Sequence, residues 1–202
     1  MRGTSTQTAK QALRTAGLVW RKSLSEADCQ LLSRAIQSRA RQLPCYLACH
    51  SVALYSAIQN EVRTDDLLAH ALKSGKKVFY PRVGADDSAG FFRVLAPDEL
   101  RAGRFGILEP AGRIRLAETD FEALTIFVPG VAFDLQGNRL GRGHGCYDRL
   151  LQQAGERAAL AYEFQVVAAV PTDPWDRRVH YIITERRVID CATASAQSSR
   201  TF

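Results

Sequence analysis

Apolar residues change their spacing repeatedly along the chain, and those changes mark out alternating helices and strands. Ala9, Leu13, Ala16, Val19 and Trp20 fall near helical spacing, which predicts a helix from about Thr8 to Trp20 after a frayed 1–6 segment. Ser25 with Glu26 and Asp28 is an N-cap signal with acids in the first turn. That second helix is expected to bury Leu31, Leu32, Ala35 and Ile36 and to run to about Arg41, ending before Pro44. Residues 51–56 (SVALYS) read as the first core strand, and Thr64-Asp65-Asp66 caps a helix through about Lys73 that Gly75 stops. With 76–81 (KKVFYP) as the next strand, this is a βαβ unit, hence parallel strands and a right-handed crossover.

Residues 85–90 (ADDSAG) form a turn, Phe91–Leu95 a short hairpin-edge strand, and Pro97 opens a brief helical turn before a polar connector at 113–122. Leu124–Val128, rich in β-branched and aromatic residues, has the pattern of a buried strand. Later come a helical turn or two over 147–153 with Leu150 and Leu151 as its apolar side, a buried strand at Ala158–Tyr162, and a loop at 163–165 closing one side of the site. Val166–Val170 fits a strand or a short helix equally, and 171–176 (PTDPWD) is a rigid loop in which Trp175 is assigned to core packing over ligand stacking. Val179–Thr184 is the last strand, and the small, polar stretch Cys191–Phe202 is expected to be disordered. Without repeats or linkers, 1–202 reads as one domain: α/β, a three-layer sandwich with a mostly parallel central sheet and helices on both faces.

The stretch 129–150 (PGVAFDLQGNRLGRGHGCYDRL) follows one predicted strand and leads into a predicted helix. It interleaves Gly137, Gly141, Gly143 and Gly145 with Arg139, Arg142 and His144. Glycines let backbone N–H groups approach a ligand closely, and a helix N-terminus with two guanidiniums adds positive potential there. Strand, basic glycine-rich loop and helix together suit phosphate binding. A long turn is the alternative, since Gly137-Asn138 is ordinary turn chemistry, and the spacing matches neither a Walker A loop nor a dinucleotide fingerprint.

The composition, 46% hydrophobic and 24% charged over 202 residues, is that of a globular protein with room for one well-filled core. No apolar run reaches membrane-spanning length and the N-terminus has no signal-peptide core, so a cytoplasmic location and no membrane partner are expected. The 27 Lys and Arg against 21 Asp and Glu leave +6, which suits a nucleotide and a carboxylate-bearing substrate as well as a nucleic acid. There is no basic run or nucleic-acid-binding signature, so no nucleic acid is expected. Cys29, Cys45, Cys49, Cys146 and Cys191 are odd in number and lack CxxC spacing, which argues against disulfides and zinc.

The residues PGVAFD, two residues on GNRLGRG, then Gly145 and Tyr147-Asp148-Arg149, resemble the signature loop of the 5-formyltetrahydrofolate cyclo-ligase family. That resemblance implies ATP-dependent conversion of 5-formyltetrahydrofolate to 5,10-methenyltetrahydrofolate by a monomer. It implies ATP contacts at Lys10, Arg14, Arg139, Leu140, Gly141, Arg142, Gly143, His144, Gly145, Cys146 and Tyr147, with Arg142 and Lys10 catalytic. It further implies folate contacts at Ser56, Glu61, Arg142 and Cys146, and Mg²⁺ ligands at Asp148 and Asp176. Phe105 and Glu109, in a Gly-Ile-x-Glu-Pro segment, are candidates to line the folate pocket. Without the resemblance, Lys10 and Arg14 read as solvated helix cations, Glu61 as a solvated loop charge and Asp148 as a helix cap; Arg82 could hold an anion or be a plain surface cation. Cys146 stands where the family has an aromatic and His144 where it often has Lys or Gly. That leaves open a nucleotide-binding homologue with an altered folate site, and the net charge leaves open a basic nucleic-acid module.

Overall fold

The computed structural model describes residues 2–84, 89–103, 106–121, 123–143, 147, 150–151 and 155–193. Its elements run α1 (Arg2–Ser23), α2 (Glu26–Ala40), α3 (Pro44–Ala48), β1 (Ser51–Ala53), α4 (Asp65–Lys73), β2 (Lys77–Val83), β3 (Ala89–Val94), β4 (Leu100–Ala102) and β5 (Leu108–Pro110). They continue as β6 (Leu124–Val128), β7 (Ala132–Asp134), β8 (Arg139–Leu140), β9 (Glu156–Leu160), β10 (Val166–Val167), β11 (Tyr181–Ile183) and β12 (Val188–Asp190). Seven strands form one sheet in the order β12-β11-β9-β6-β1-β2-β3. Its five inner strands are parallel, and only β3 and β12 at the edges run antiparallel to their neighbours. The expected α/β architecture with a mostly parallel sheet is therefore present. Among the described residues no helix is long and apolar enough to cross a membrane.

Strand alternation builds two cores. Val52, Val78, Phe127 and Ala158 face α2, α3 and α4, where Ile36, Ala40, Tyr46, Leu67 and Ala71 meet them. Ala53, Phe79, Ile126, Val128 and Ala159 face the other way, onto Phe133, Leu116, Leu150 and Leu151. A smaller three-stranded sheet, β10-β7-β8, lies on that second side and receives α1, whose Gly17 packs against Val131 closely enough that a Cβ would stand 2.7 Å from Val131 Cγ1.

Several expectations are corrected. α1 begins at Arg2, so 2–6 are helical, and its buried residues are Lys10, Gly17 and Arg21, with the apolar Val19 and Trp20 outside. α2 buries Cys29, Ser33, Ile36, Gln37 and Ala40, leaving Leu31 exposed. Ser33 and Gln37 can be inside because Ser33 Oγ accepts from Arg63 N and Gln37 Oε1 from Leu67 N. Gln37 thus satisfies an orphan N–H of the first turn of α4, which frees the Thr64 hydroxyl to donate to Tyr55 O instead of capping. Val166–Val167 is a strand, β12 is an additional strand, and Cys191 is buried in the core, so order extends at least to 193. Trp175 is 62% exposed and packs in no core. Residues 85–88 of the predicted turn, parts of the 147–153 helix and 194–202 of the tail lie outside the described residues.

The glycine-rich stretch begins as a hairpin. β7 and β8 pair antiparallel, and Leu135–Gly137 turn the chain, with Gly137 at φ +80 donating to Asp134 O and accepting from Val179 N. A Cβ on Gly137 would overlap the Val179 carbonyl oxygen. Gly137→Ala combines that clash with left-handed strain, and should lower unfolding free energy by at least about 2 kcal/mol in urea titration.

Candidate active site

Asp134 anchors the start of the site. It is 1% exposed, and its carboxylate accepts from Gln136 N (3.0 Å), Asn138 N (3.0 Å), Asn138 Nδ2 (2.9 Å) and Val170 N (2.9 Å). Gln165, also buried, donates to Gly130 O and Val131 O, so the 163–165 segment grips the base of the hairpin. Glu163 itself turns toward Thr184 and Arg187. Leu140 is packed with Ala132 and Val170, which leaves only its backbone for a ligand. Arg139 is nearly buried, donates to Pro129 O (3.4 Å) and lies 5.6 Å from the Tyr147 ring.

α1 brings the first two cations to this stretch. Lys10, 5% exposed, bridges Asp173 Oδ2 (2.7 Å) and Asp176 Oδ2 (2.6 Å) in the 171–176 loop. Burial alone would lower the pKa of its ammonium, but the two carboxylates outweigh that and hold it above its ordinary value. Arg14 Nε donates to Gly141 O (3.0 Å), and its guanidinium lies beside Gly143, whose φ of +98 favours glycine there.

Arg142 points to the other half of the site. Its Nε meets Glu61 Oε1 at 3.3 Å, and its buried NH2 nitrogen has no hydrogen-bond partner among the described residues. Glu61 is 7% exposed and also receives Arg21 (3.4 Å) and Ile58 N (3.2 Å). Burial raises the Glu61 pKa, while Arg21, Arg142 and the Ile58 N–H pull against it. Glu61 borders a cavity of about 370 Å³ lined by Ser56, Asn60, Tyr80, Leu100 and Leu108, a size suited to a small organic ligand. Ser56 Oγ donates to Leu108 O, tying the chain after β1 to β5.

The structure thus brings Lys10 to Asp176, Arg14 to Gly141, and Arg142 to Glu61. His144, Gly145, Cys146, Asp148 and Phe105 lie outside the described residues. Leu108, not Glu109, borders the cavity, and Glu109 packs beside Gly103. Arg82 staples Pro110 O and Gly112 O over the Phe92 ring. Among the described residues no group of three or more His, Cys, Asp or Glu side chains is placed to hold a metal. Sequence reasoning missed Arg21, Asp134 and Asp173. The only signals were the steps of 4, 3 and 4 that lead from Lys10 through Arg14 and Gly17 to Arg21, and Asp173 three residues before Asp176.

Comparison with known proteins gives the family to which this chain belongs. The family model for 5-formyltetrahydrofolate cyclo-ligases matches residues 6–185. The 5-formyltetrahydrofolate cyclo-ligase of Mycolicibacterium smegmatis is 33% identical over 90% of this chain and 96% of its own. That of Haemophilus influenzae is 30% identical over 83% and 92%. The NMR structure of Aquifex aeolicus 5,10-methenyltetrahydrofolate synthetase superposes with a TM-score of 0.80 at 39% identity, covering 90% of this chain and 92% of that one. The chain is an enzyme of the 5-formyltetrahydrofolate cyclo-ligase family.

Proposed function

We propose that the chain converts 5-formyltetrahydrofolate and ATP to 5,10-methenyltetrahydrofolate, ADP and phosphate. One observation supports this above the others. α1 sets Lys10 and Arg14 against the 171–176 loop and the glycine stretch, while Arg142 of that stretch reaches Glu61 at the cavity. A triphosphate along the stretch and a reduced folate in the cavity then meet near Arg142. In the proposed reaction the formyl oxygen attacks the γ-phosphorus and ADP leaves. N10 next attacks the formyl carbon, phosphate departs with the oxygen, and the N10 proton passes to phosphate. Positioning and charge neutralisation are what such a transfer asks of the protein. Arg142 and Lys10 are assigned the neutralisation, Arg14 and the glycine stretch hold the phosphates, and Glu61 and Ser56 orient the folate. No side-chain base is required.

Mg²⁺ is part of this reading, with Asp176 as a ligand and Asp148 as the second. The donor chemistry fits: Asp173 and Asp176 already hold one ammonium between carboxylate oxygens at 2.7 and 2.6 Å, and oxygen donors are what a hard dication takes. When bound, the ion would supply charge neutralisation at phosphate oxygens. The test is incubation with 5-formyltetrahydrofolate and Mg-ATP, following the near-UV absorbance of the methenyl product. Stoichiometric ADP with that absorbance is expected; ATP binding with no product would sink the assignment.

A further inference from the structure

We propose that Arg21 is a positioning residue for the folate side of the site, keeping the Glu61 carboxylate charged where it borders the cavity. This rests on the reading of Glu61 as a folate contact. Arg21 is 1% exposed and reaches inward from α1, its NH1 nitrogen meeting Glu61 Oε1 at 3.4 Å and Gly130 O at 3.3 Å. Its Nε and NH2 nitrogens are buried and have no hydrogen-bond partner among the described residues. A guanidinium with two unsatisfied donor groups is a costly thing to bury, and packing alone would be served as well by an apolar side chain. What the cation does here is face a carboxylate that burial would otherwise neutralise.

The contact is held from both sides. Gln59 and Asn60 take positive φ (48 and 58) just before Glu61, and Asn60 Nδ2 donates to Arg21 O and Leu24 O at the end of α1. The turn that carries Glu61 is thereby pinned to the turn of helix that carries Arg21. Lys10, Arg14, Gly17 and Arg21 follow at steps of 4, 3 and 4, one inward stripe. Lys10 and Arg21 are separated by about 16 Å along the axis, so one rigid helix serves the proposed nucleotide and folate halves together.

The other groups facing Glu61 do not duplicate Arg21. Cys29 on α2 donates to Glu61 O (3.9 Å) and contacts Tyr162 OH (3.1 Å). Tyr55 beyond β1 donates to Val62 O, and burial pushes both the Tyr55 and Tyr162 phenols far up, so they remain neutral. Arg142 is the second cation, but it is partly exposed on the glycine stretch and is assigned to the reaction. A carboxylate acceptor suits the N–H donors of a pterin ring, and protonation would remove part of that acceptance. Because Glu61's pKa is raised, folate binding should be strongest at high pH and weaken as pH falls. Removing Arg21's charge raises that pKa further and moves the weakening to higher pH.

The test is calorimetric binding of 5-formyltetrahydrofolate to the full chain, without nucleotide, from pH 5.5 to 8.5. R21M and R21Q should move the pH midpoint of affinity up by about 1–3 units, with ATP affinity changed less than about twofold. R21K, which keeps the charge, should stay near the wild-type profile. An unshifted midpoint in R21Q, which retains a polar side chain if R21M does not fold, overturns the proposal, as does an R21K shift equal to that of R21M. E61Q separates the two ideas. Weak, pH-independent binding is expected, whereas wild-type affinity and profile in E61Q would sink the role of Glu61 itself.

Discussion

Arg142→Met is expected to reduce kcat/KM for methenyl formation by about 10²–10³-fold, the usual cost of deleting a preorganised charge from a transfer site. Arg142 is the side chain that touches both halves of the site. It comes from the glycine stretch beside Gly141, where Arg14 is anchored, and its Nε meets Glu61 at the cavity. Its NH2 nitrogen is buried with no hydrogen-bond partner among the described residues, and in the proposed reaction it would donate to a phosphoryl or formyl oxygen. Most of the loss should appear in kcat, because charge moves in the transition state and not on binding. Arg142→Lys keeps the charge without the planar fork and should recover only part of the rate. Steady-state kinetics with each substrate varied measures both, and a fall of less than about fivefold would remove Arg142 from the reaction.

Asp134→Ala should destabilise the fold by about 3–5 kcal/mol, the largest stability effect predicted here, because it strips acceptors from three backbone N–H groups and one amide in a buried place. Those partners span the hairpin turn and Val170, so the loss falls where the turn joins the segment leading to the 171–176 loop. Asp134→Asn keeps the shape but replaces one acceptor oxygen by a donor, and should cost about half as much. Urea unfolding gives both values. A loss under about 1 kcal/mol for the alanine variant would mean that the turn holds without its carboxylate.

The two effects explain what could be read in advance. Leu124–Val128 and the strand expected at 76–81, which runs Lys77–Val83, were visible because apolar runs of that length and β-branched content have few other solutions. Ser25 was visible as a cap because Asp28 N needs an acceptor and Ser25 Oγ lies in reach. The inner face of α1 was misread for a matching reason. Hydropathy favoured Val19 and Trp20, while the structure buries Lys10 and Arg21. The same error put Leu31 inside α2 in place of Ser33 and Gln37. The glycine stretch was legible as a unit, but its first part is a braced hairpin and only Gly141 and Gly143, among its described residues past β8, stand beside the cations of α1.

Sequence by itself determined the order of the main elements α1, α2, β1, α4, β2, β3, β6, β9 and β11, the turn at Gly137 and, through a long run of matching residues, the family. Those depend on local backbone preference and on patterns a few residues wide. Tertiary structure alone decided which charges go inside. Lys10 meets Asp173 across 163 residues and Arg21 meets Glu61 across 40. A buried charge persists only where a partner from elsewhere in the chain offsets its lost hydration, so its place is fixed by the assembled fold, and the neighbouring sequence shows no more than a helical spacing.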